Sequence, residues 1–466
     1  MTKGEPRNIL SLLSILVLGG LTAAVPAYAE DDSLEYHEFD TGIAKRQTVI
    51  PGFYLGGDIA EIAVVHIDAN DNRILHMFGF DGTGWVSMLE ATLPPSVLFV
   101  DVANIGGRDR LISYENGRLS WFDPKSAMER PLVAVTSNFN PPGESEIRHV
   151  DVTRDVNDDN RDDLVVPDVD GFWVFIQMSD GAFADPVMIG PATDMSRIYG
   201  ADGYRYDPWS QSRVHEIDYN QDGRNDLVFW NAERFEVHTQ DEHGLFVAKA
   251  KTFTSDVAFD TDDLSSLAIG DMTGRVLHSL ADLNGDGVGD LVVNSLEGRR
   301  ISKKLSSYEV HYGKPTPDGG TAFASEVGVT FQSDDRIQLG MEQHDFDGDG
   351  QADVMLTTIE VRFLSSNPWK RWKGFWGDDI WLGLEFYRME GGLYPDKPNA
   401  TRRIQLVGDP SPSEPGWVPL DLVLRGGMHE NRKTQVRTVL VGGWGAFTKD
   451  WWRLSEVSSE NYPPVF

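Results

Sequence analysis

The chain has 466 residues, 73 acidic side chains against 41 basic ones, a formal net charge of −32 and no cysteine. The missing thiols exclude a disulfide framework and cysteine-ligated metal centres. So large an acidic excess argues against a nucleic-acid partner, because phosphate binding needs clustered Lys and Arg.

Residues 1–29 read as a signal peptide. Lys3 and Arg7 form a basic start, Ile9 to Val25 is apolar, and Ala27-Tyr28-Ala29 is a cleavage motif before Glu30. The apolar run is short and broken by Gly19 and Gly20, so a retained membrane anchor is disfavoured. The expectation is export to the periplasm or the extracellular space, with no membrane insertion after cleavage. Without disulfides in such a compartment, rigidity must come from elsewhere.

Four nine-residue segments then align without gaps. They begin at Asp155, Asp218, Asp282 and Asp345, spaced 63, 64 and 63 residues apart. Oxygen donors fall at positions 1, 3, 5 and 9: Asp155, Asn157, Asp159 and Asp163; Asp218, Asn220, Asp222 and Asp226; Asp282, Asn284, Asp286 and Asp290; Asp345, Asp347, Asp349 and Asp353. Position 7 (Arg161, Arg224, Val288, Gln351) can offer its backbone carbonyl. Position 6 is Gly in three loops and Asn160 in the first, as a turn with positive φ requires. This is a donor set that Ca²⁺ prefers, and about four ions per chain are expected. Position 12 is Val166, Phe229, Val293 or Leu356 inside an apolar run, where an EF-hand needs Glu. A fixed period of this length marks a repeat architecture.

The D-x-[DN]-x-D-G-x-x-D loop running into an apolar strand resembles the FG-GAP, or VCBS, repeat of the integrin-α-like β-propeller. The resemblance implies an all-β fold of four-stranded antiparallel blades, with calcium between the first and second strands of a blade. Residues 30–466 divided by the repeat length give seven blades in one domain, with calcium loops in blades three to six. Asp101–Asp109 and Phe53–Glu61 read as degenerate copies that keep the acid at position 9 but lack the full ligand set. The last blade reads as Trp417–Arg425, Gln435–Val441 and Trp451–Val457. Leu34–Asp40 is expected to complete it and close the ring.

Within blade three, strands are expected at Leu164–Pro167, Phe172–Met178 and Phe183–Ile189, with turns at Asp170-Gly171 and Asp180-Gly181. Blade four repeats this at Leu227–Trp230, Phe235–Thr239 and Phe246–Lys249. Long insertions near 191–213, 296–307 and 364–381 belong to the face opposite the calcium loops. They combine aromatic and basic residues: Tyr204, Tyr206 and Trp209; Arg299 and Arg300; Trp369, Arg371, Trp372, Trp376 and Trp381. Flat rings can stack on sugars, and Arg can pair with carboxylate or sulfate. These residues are the candidate ligand face for a glycan, possibly anionic, or a protein partner.

His149, His215, His278 and His344 precede the four loops at unequal offsets, which favours packing or channel-lining roles over catalysis. No nucleophile elbow, phosphate loop or His-Glu-x-x-His motif is present. The expected role is a calcium-binding adhesion or binding module. The alternative is a polysaccharide lyase using His215, Tyr204, Tyr206 and Arg213.

Overall fold

The computed structural model describes residues 41, 47–57, 59–141, 147–193, 205–262, 273–297, 305–332, 337–345, 351–361, 380–406, 427–431, 434–443 and 445–451. The chain divides into Met1–Asp40 and Thr41–Phe466, and all described strands fall in the second unit. The protein is all-β, with several four-stranded antiparallel sheets following one another in chain order.

The first sheet is β1 (Gln47–Gly52), β2 (Glu61–Ile67), β3 (Arg73–Phe80) and β4 (Trp85–Leu93). The second is β5 (Val97–Asn104), β6 (Asp109–Glu115), β7 (Gly117–Asp123) and β8 (Met128–Val135), with β9 (Arg148–Val150) added in parallel to β5. The third is β10 (Thr153–Arg154), β11 (Asp163–Asp168), β12 (Gly171–Phe175) and β13 (Val187–Ile189). Next, β14 (Arg205–Tyr206) pairs in parallel with β9, and a short helix α1 (Pro208–Gln211) follows. The fourth sheet is β15 (His215–Ile217), β16 (Asp226–Asn231), β17 (Arg234–His238) and β18 (Lys251–Phe253). The fifth starts with β19 (Gly274–Ala281), β20 (Asp290–Glu297) and β21 (Leu305–His311). A hairpin, β22 (Gly313–Pro315) and β23 (Thr321–Phe323), intervenes before its last strand β24 (Val329–Gln332). The sixth is β25 (Ile337–His344), β26 (Asp353–Val361), β27 (Ile380–Tyr387) and β28 (Ala400–Leu406). A three-stranded sheet of β29 (Gly427–Asn431), β30 (Thr434–Gly443) and β31 (Gly445–Trp451) comes last.

Sequence pattern explains the layering. The second strand of a sheet follows the aspartate loop and is a near-continuous apolar run. β11 is buried along its whole length and β2 along nearly all of it, as strands covered on both faces must be. The outer strands β4 and β8 leave most positions wet or half-wet. The core lies between successive sheets. Ile50, Val65 and Met77 of the first meet Val100, Leu111 and Phe122 of the second. Tyr219, Val228 and Phe235 of the fourth meet Leu277, Leu291 and Val293 of the fifth. The other neighbouring pairs through the sixth sheet pack likewise. Gly171 holds the predicted turn: a Cβ there would lie 2.6 Å from the Ile189 carbonyl, and its φ is +152°.

Several boundaries differ from expectation. The outer strand of the third sheet is only Val187–Ile189, with Phe183 bridging Gln177 one residue out of register. Pro186 cannot donate to the ladder, so pairing breaks there. In the fourth sheet Phe246 bridges Gln240, and the outer strand proper starts later, at Lys251. In the last sheet the third described strand is Gly445–Trp451, paired with β30 from Gly443 opposite Gly445 to Arg437 opposite Trp451; of the expected strand Trp451–Val457 only Trp451 is described. The insertions are also shorter at their ends. Leu296 lies in β20, Leu305 to Ser307 in β21, and Trp381 in β27 opposite Glu360 and Gln405. Leu34–Asp40, Trp417–Arg425 and 452–457 lie outside the described residues, and ring closure rests on them.

Candidate functional site: aspartate loops and an inner-strand histidine cluster

Three of the four repeated loops are described in full, and they share one geometry. The position-1 carboxylate accepts the amides of positions 5 and 6. Asp159 and Asn160 donate to Asp155 at 3.0 and 2.8 Å. Asp222 and Gly223 donate to Asp218 at 3.0 and 2.7 Å. Asp286 and Gly287 donate to Asp282 at 3.2 and 2.8 Å. The position-5 amide also points at the position-3 oxygen of Asn157, Asn220 or Asn284. The position-5 carboxylate accepts the position-7 amide of Arg161, Arg224 or Val288. Each loop therefore curls around its own donors.

Position 6 has positive φ as expected (Asn160 +65°, Gly223 +85°, Gly287 +82°). Position 4 does too (Asp158 +60°, Gln221 +54°, Gly285 +72°). Sequence reading missed it because Asp and Gln occupy two of the three.

Position 9 is different in kind. Asp163, Asp226, Asp290 and Asp353 are fully buried. Each accepts an amide at the far end of its sheet's third strand: Gln177 at 2.7 Å, Gln240 at 2.7 Å, Gly313 at 2.7 Å and Met389 at 2.9 Å. Asp163 and Asp290 also accept the position-2 amides of Val156 and Leu283. The position-9 acids of the degenerate loops also accept amides, but from the segment between β1 and β2: Asp109 from Phe53 and Glu61 from Leu55.

Burial pushes Asp163 up to about 8, Asp226 to about 6 and Asp290 to about 7, against the pull of the amides. The position-1 and position-5 carboxylates of the same loop push in the same direction as burial. Among the described residues no three His, Asp or Glu side chains stand together as a ready metal cage. Of the fourth loop, Asp345, Gln351 and Asp353 are described, while Asp347 and Asp349 lie outside.

Neighbouring sheets stitch the loops together. Gln177 of the third sheet donates to the Asn104 carbonyl in the second. Gln240 of the fourth reaches Asn157 O, Thr321 of the fifth reaches Tyr219 O at 3.0 Å, and Tyr394 reaches Leu283 O at 2.9 Å. Sequence reading gave no sign of these contacts, because the partners lie 73 to 111 residues apart.

The expected ligand face is placed only in part. Tyr204, Arg299, Arg300, Trp369, Arg371, Trp372 and Trp376 lie outside the described residues, as does the side chain of Trp381. Tyr206 and Trp209 are corrected. Tyr206 is buried and stacked on Phe139 with ring centroids 5.8 Å apart. Trp209 is 1% exposed, packs edge-on against Phe172 at 5.1 Å and carries Arg154 over its ring at 5.4 Å. It sits on α1, which forms because Asp207 caps the Ser210 amide and Pro208 starts the turn. An apolar ring on one short turn is driven inward to cover the sheet below.

The histidines before the loops separate into two groups. His149 is tied by Nε2 to Asp101 at 2.8 Å, a structural hydrogen bond. His215 and His278 lie on the adjacent first strands β15 and β19, where burial and the nearby Arg213 charge lower them to about 3 and about 4. His278 stands edge-on to Tyr308, centroids 4.8 Å apart. Beside His215, Glu216 faces the other way, toward Arg154 and the third sheet, and burial raises it to about 7. His344 ends β25.

No family model matches the sequence, and no curated protein matches it significantly. Solved structures give distant likenesses. One is an Agrocybe aegerita lectin that recognises non-reducing terminal N-acetylglucosamine. It is 14% identical, with 74% of this chain and 94% of that chain covered and a TM-score of 0.32. A Bacteroides uniformis protein, provisionally named a 6-phosphogluconolactonase, is 14% identical over 74% of this chain and 85% of its own, at a TM-score of 0.28. The Photorhabdus luminescens Tc holotoxin pore is 12% identical over 75% of this chain and 16% of its own, at 0.24.

Proposed function

We propose that the chain is an exported, calcium-braced seven-bladed β-propeller of the kind the FG-GAP resemblance implies, acting as a binding module for a glycan or protein partner. One observation carries the calcium reading. In three loops the same amides hold the position-1 and position-5 carboxylates and the position-3 Asn oxygen, and the two carboxylates raise the buried position-9 acid by charge repulsion. A hard divalent cation bound by oxygens would relieve that repulsion. The donors fit: Asp282, Asn284, Asp286, the Val288 carbonyl and Asp290 would hold the ion in the fifth blade, with the equivalent residues in blades three, four and six. The ion would supply bracing, not chemistry.

The ligand-binding part of the proposal rests on the Trp- and Arg-rich segments read from the sequence. The lyase alternative loses Tyr206, whose ring is packed against Phe139. Calcium titration of chelator-stripped protein, read by melting temperature, tests the brace. A rise with Ca²⁺ and one fewer ion bound in Asp286→Ala are expected; identical melting with and without chelator would refute it. A glycan array run with wild type and with Trp372→Ala/Trp376→Ala tests the ligand face. Unchanged retention by the double variant would refute that face.

A further inference from the structure

We propose that the position-7 arginines of the third and fourth loops, Arg161 and Arg224, are built-in counter-cations that weaken calcium binding in their own loops, so that tight binding falls to the fifth and sixth. The proposal rests on the calcium reading and ranks the sites within it.

Three observations carry it. First, each guanidinium folds back on the position-5 carboxylate, a donor that the ion would need. Arg161 Nη2 donates to Asp159 Oδ2, and its Nε donates to the Gln177 carbonyl at 2.9 Å. The cation is pinned between the loop and the chain just beyond β12. Arg224 Nη2 donates to Asp222 Oδ2 at 2.5 Å. Second, the fifth loop has Val288 at this position, buried in the core. There Asp286 Oδ2 accepts the neutral Asn284 amide at 2.9 Å. Among the described residues no Arg or Lys pairs with Asp282, Asp286 or Asp290. The sixth loop has Gln351 at position 7 and a further acid, Asp347, at position 3. Third, the fourth loop keeps one bare oxygen. Asp226 Oδ2 is buried with no hydrogen-bond partner, whereas both oxygens of Asp163 and of Asp290 accept amides. An orphaned buried oxygen leaves a cation something to satisfy, so this loop is weakened and not closed. The extra acids of the third loop turn elsewhere: Asp158 accepts the Asn225 side chain and Asp162 the Asn104 amide.

The affinity of an oxygen-lined calcium loop follows the charge of its ligands. The fifth loop keeps its carboxylates uncancelled, while the third and fourth each lose one to a guanidinium that stays charged at any working pH. The two arginine side chains are 36% and 35% exposed, and ion pairs that wet are individually weak. They therefore lower affinity without blocking the site. When calcium is absent, the same pairs hold the position-5 carboxylates in place.

The test is calcium titration of the chelator-stripped full chain against a fluorescent calcium indicator. Two classes of site are expected, a tight pair and a pair weaker by about tenfold or more. Asp286→Ala should delete a tight site and Asp222→Ala a weak one. Arg161→Gln and Arg224→Gln should each tighten one weak site by about tenfold, and Arg224→Lys, which keeps the charge, should leave it weak. Four equal sites in the wild type, or unchanged affinity in both Arg→Gln variants, overturns the assignment while leaving the calcium reading intact. Absence of calcium binding by any loop overturns both.

Discussion

Replacing Asp290 by Ala separates the two uses of the aspartate loop. Asp290 is fully buried and accepts the Leu283 amide at 2.9 Å and the Gly313 amide at 2.7 Å. Alanine leaves both donors buried with no acceptor, and each orphaned group costs about 1–3 kcal/mol. The sum, about 2–6 kcal/mol, is a large part of the ~5–15 kcal/mol that holds a typical domain folded. Relief of a carboxylate that burial has raised to about 7 offsets some of this. Asp286→Ala is the control. Its side chain is exposed and accepts the Val288 amide, which water can serve, so it should cost under about 1 kcal/mol. Both are measured by urea unfolding in excess chelator, where no calcium contributes. A loss for Asp290→Ala below about 1 kcal/mol, or equal to that of Asp286→Ala, would falsify the view that position 9 is a fold clamp. With calcium restored, wild type should gain more stability than Asp286→Ala, which has lost one ion.

Three further outcomes follow from the packing. Trp209→Ala opens a hole against Phe172 and removes the ring under Arg154, and should cost about 3–5 kcal/mol in urea unfolding; a change under about 1 kcal/mol would return Trp209 to the ligand face. The Tyr394 hydroxyl lies 2.9 Å from Leu283 O and 2.6 Å from Ala352 O, sharing one proton between them. Tyr394→Phe should therefore destabilise by about 1 kcal/mol and weaken calcium binding in the fifth blade, and unaltered calcium affinity would show that the stitch does not support that loop. The folded-state value of His278 is about 4 against an unfolded value of 6.5. The unfolded chain thus takes up more protons between those values, so this residue's contribution to stability is present above pH 6.5 and is lost as pH falls toward 4, by up to about 1.4 kcal/mol per unit. The difference in stability between wild type and His278→Gln should shrink across that window, and a constant difference would contradict burial of a neutral imidazole.

The sequence alone determined the period, the loop chemistry and the sheet composition. Nine-residue repeats fix where a turn must curl, because alternating carboxylates, Asn and Gly admit few other shapes. The apolar triplet after each loop fixes the buried second strand. Local rules of this kind act over a few residues, so they are legible in one dimension. Outer strands were less so: Pro186 and the late start at Lys251 shift pairing by a residue or two, which hydrophobicity does not record. Only the tertiary structure decided what position 9 does, since its amide partners lie 14 to 36 residues away, across the sheet. The same holds for Tyr206 and Trp209. An aromatic residue in a long connection reads alike whether it faces solvent or a neighbouring sheet, and the choice falls to whichever apolar surface lies beneath it. The nearness of His215 to His278, 63 residues apart in the chain, likewise arises because they lie on neighbouring first strands β15 and β19.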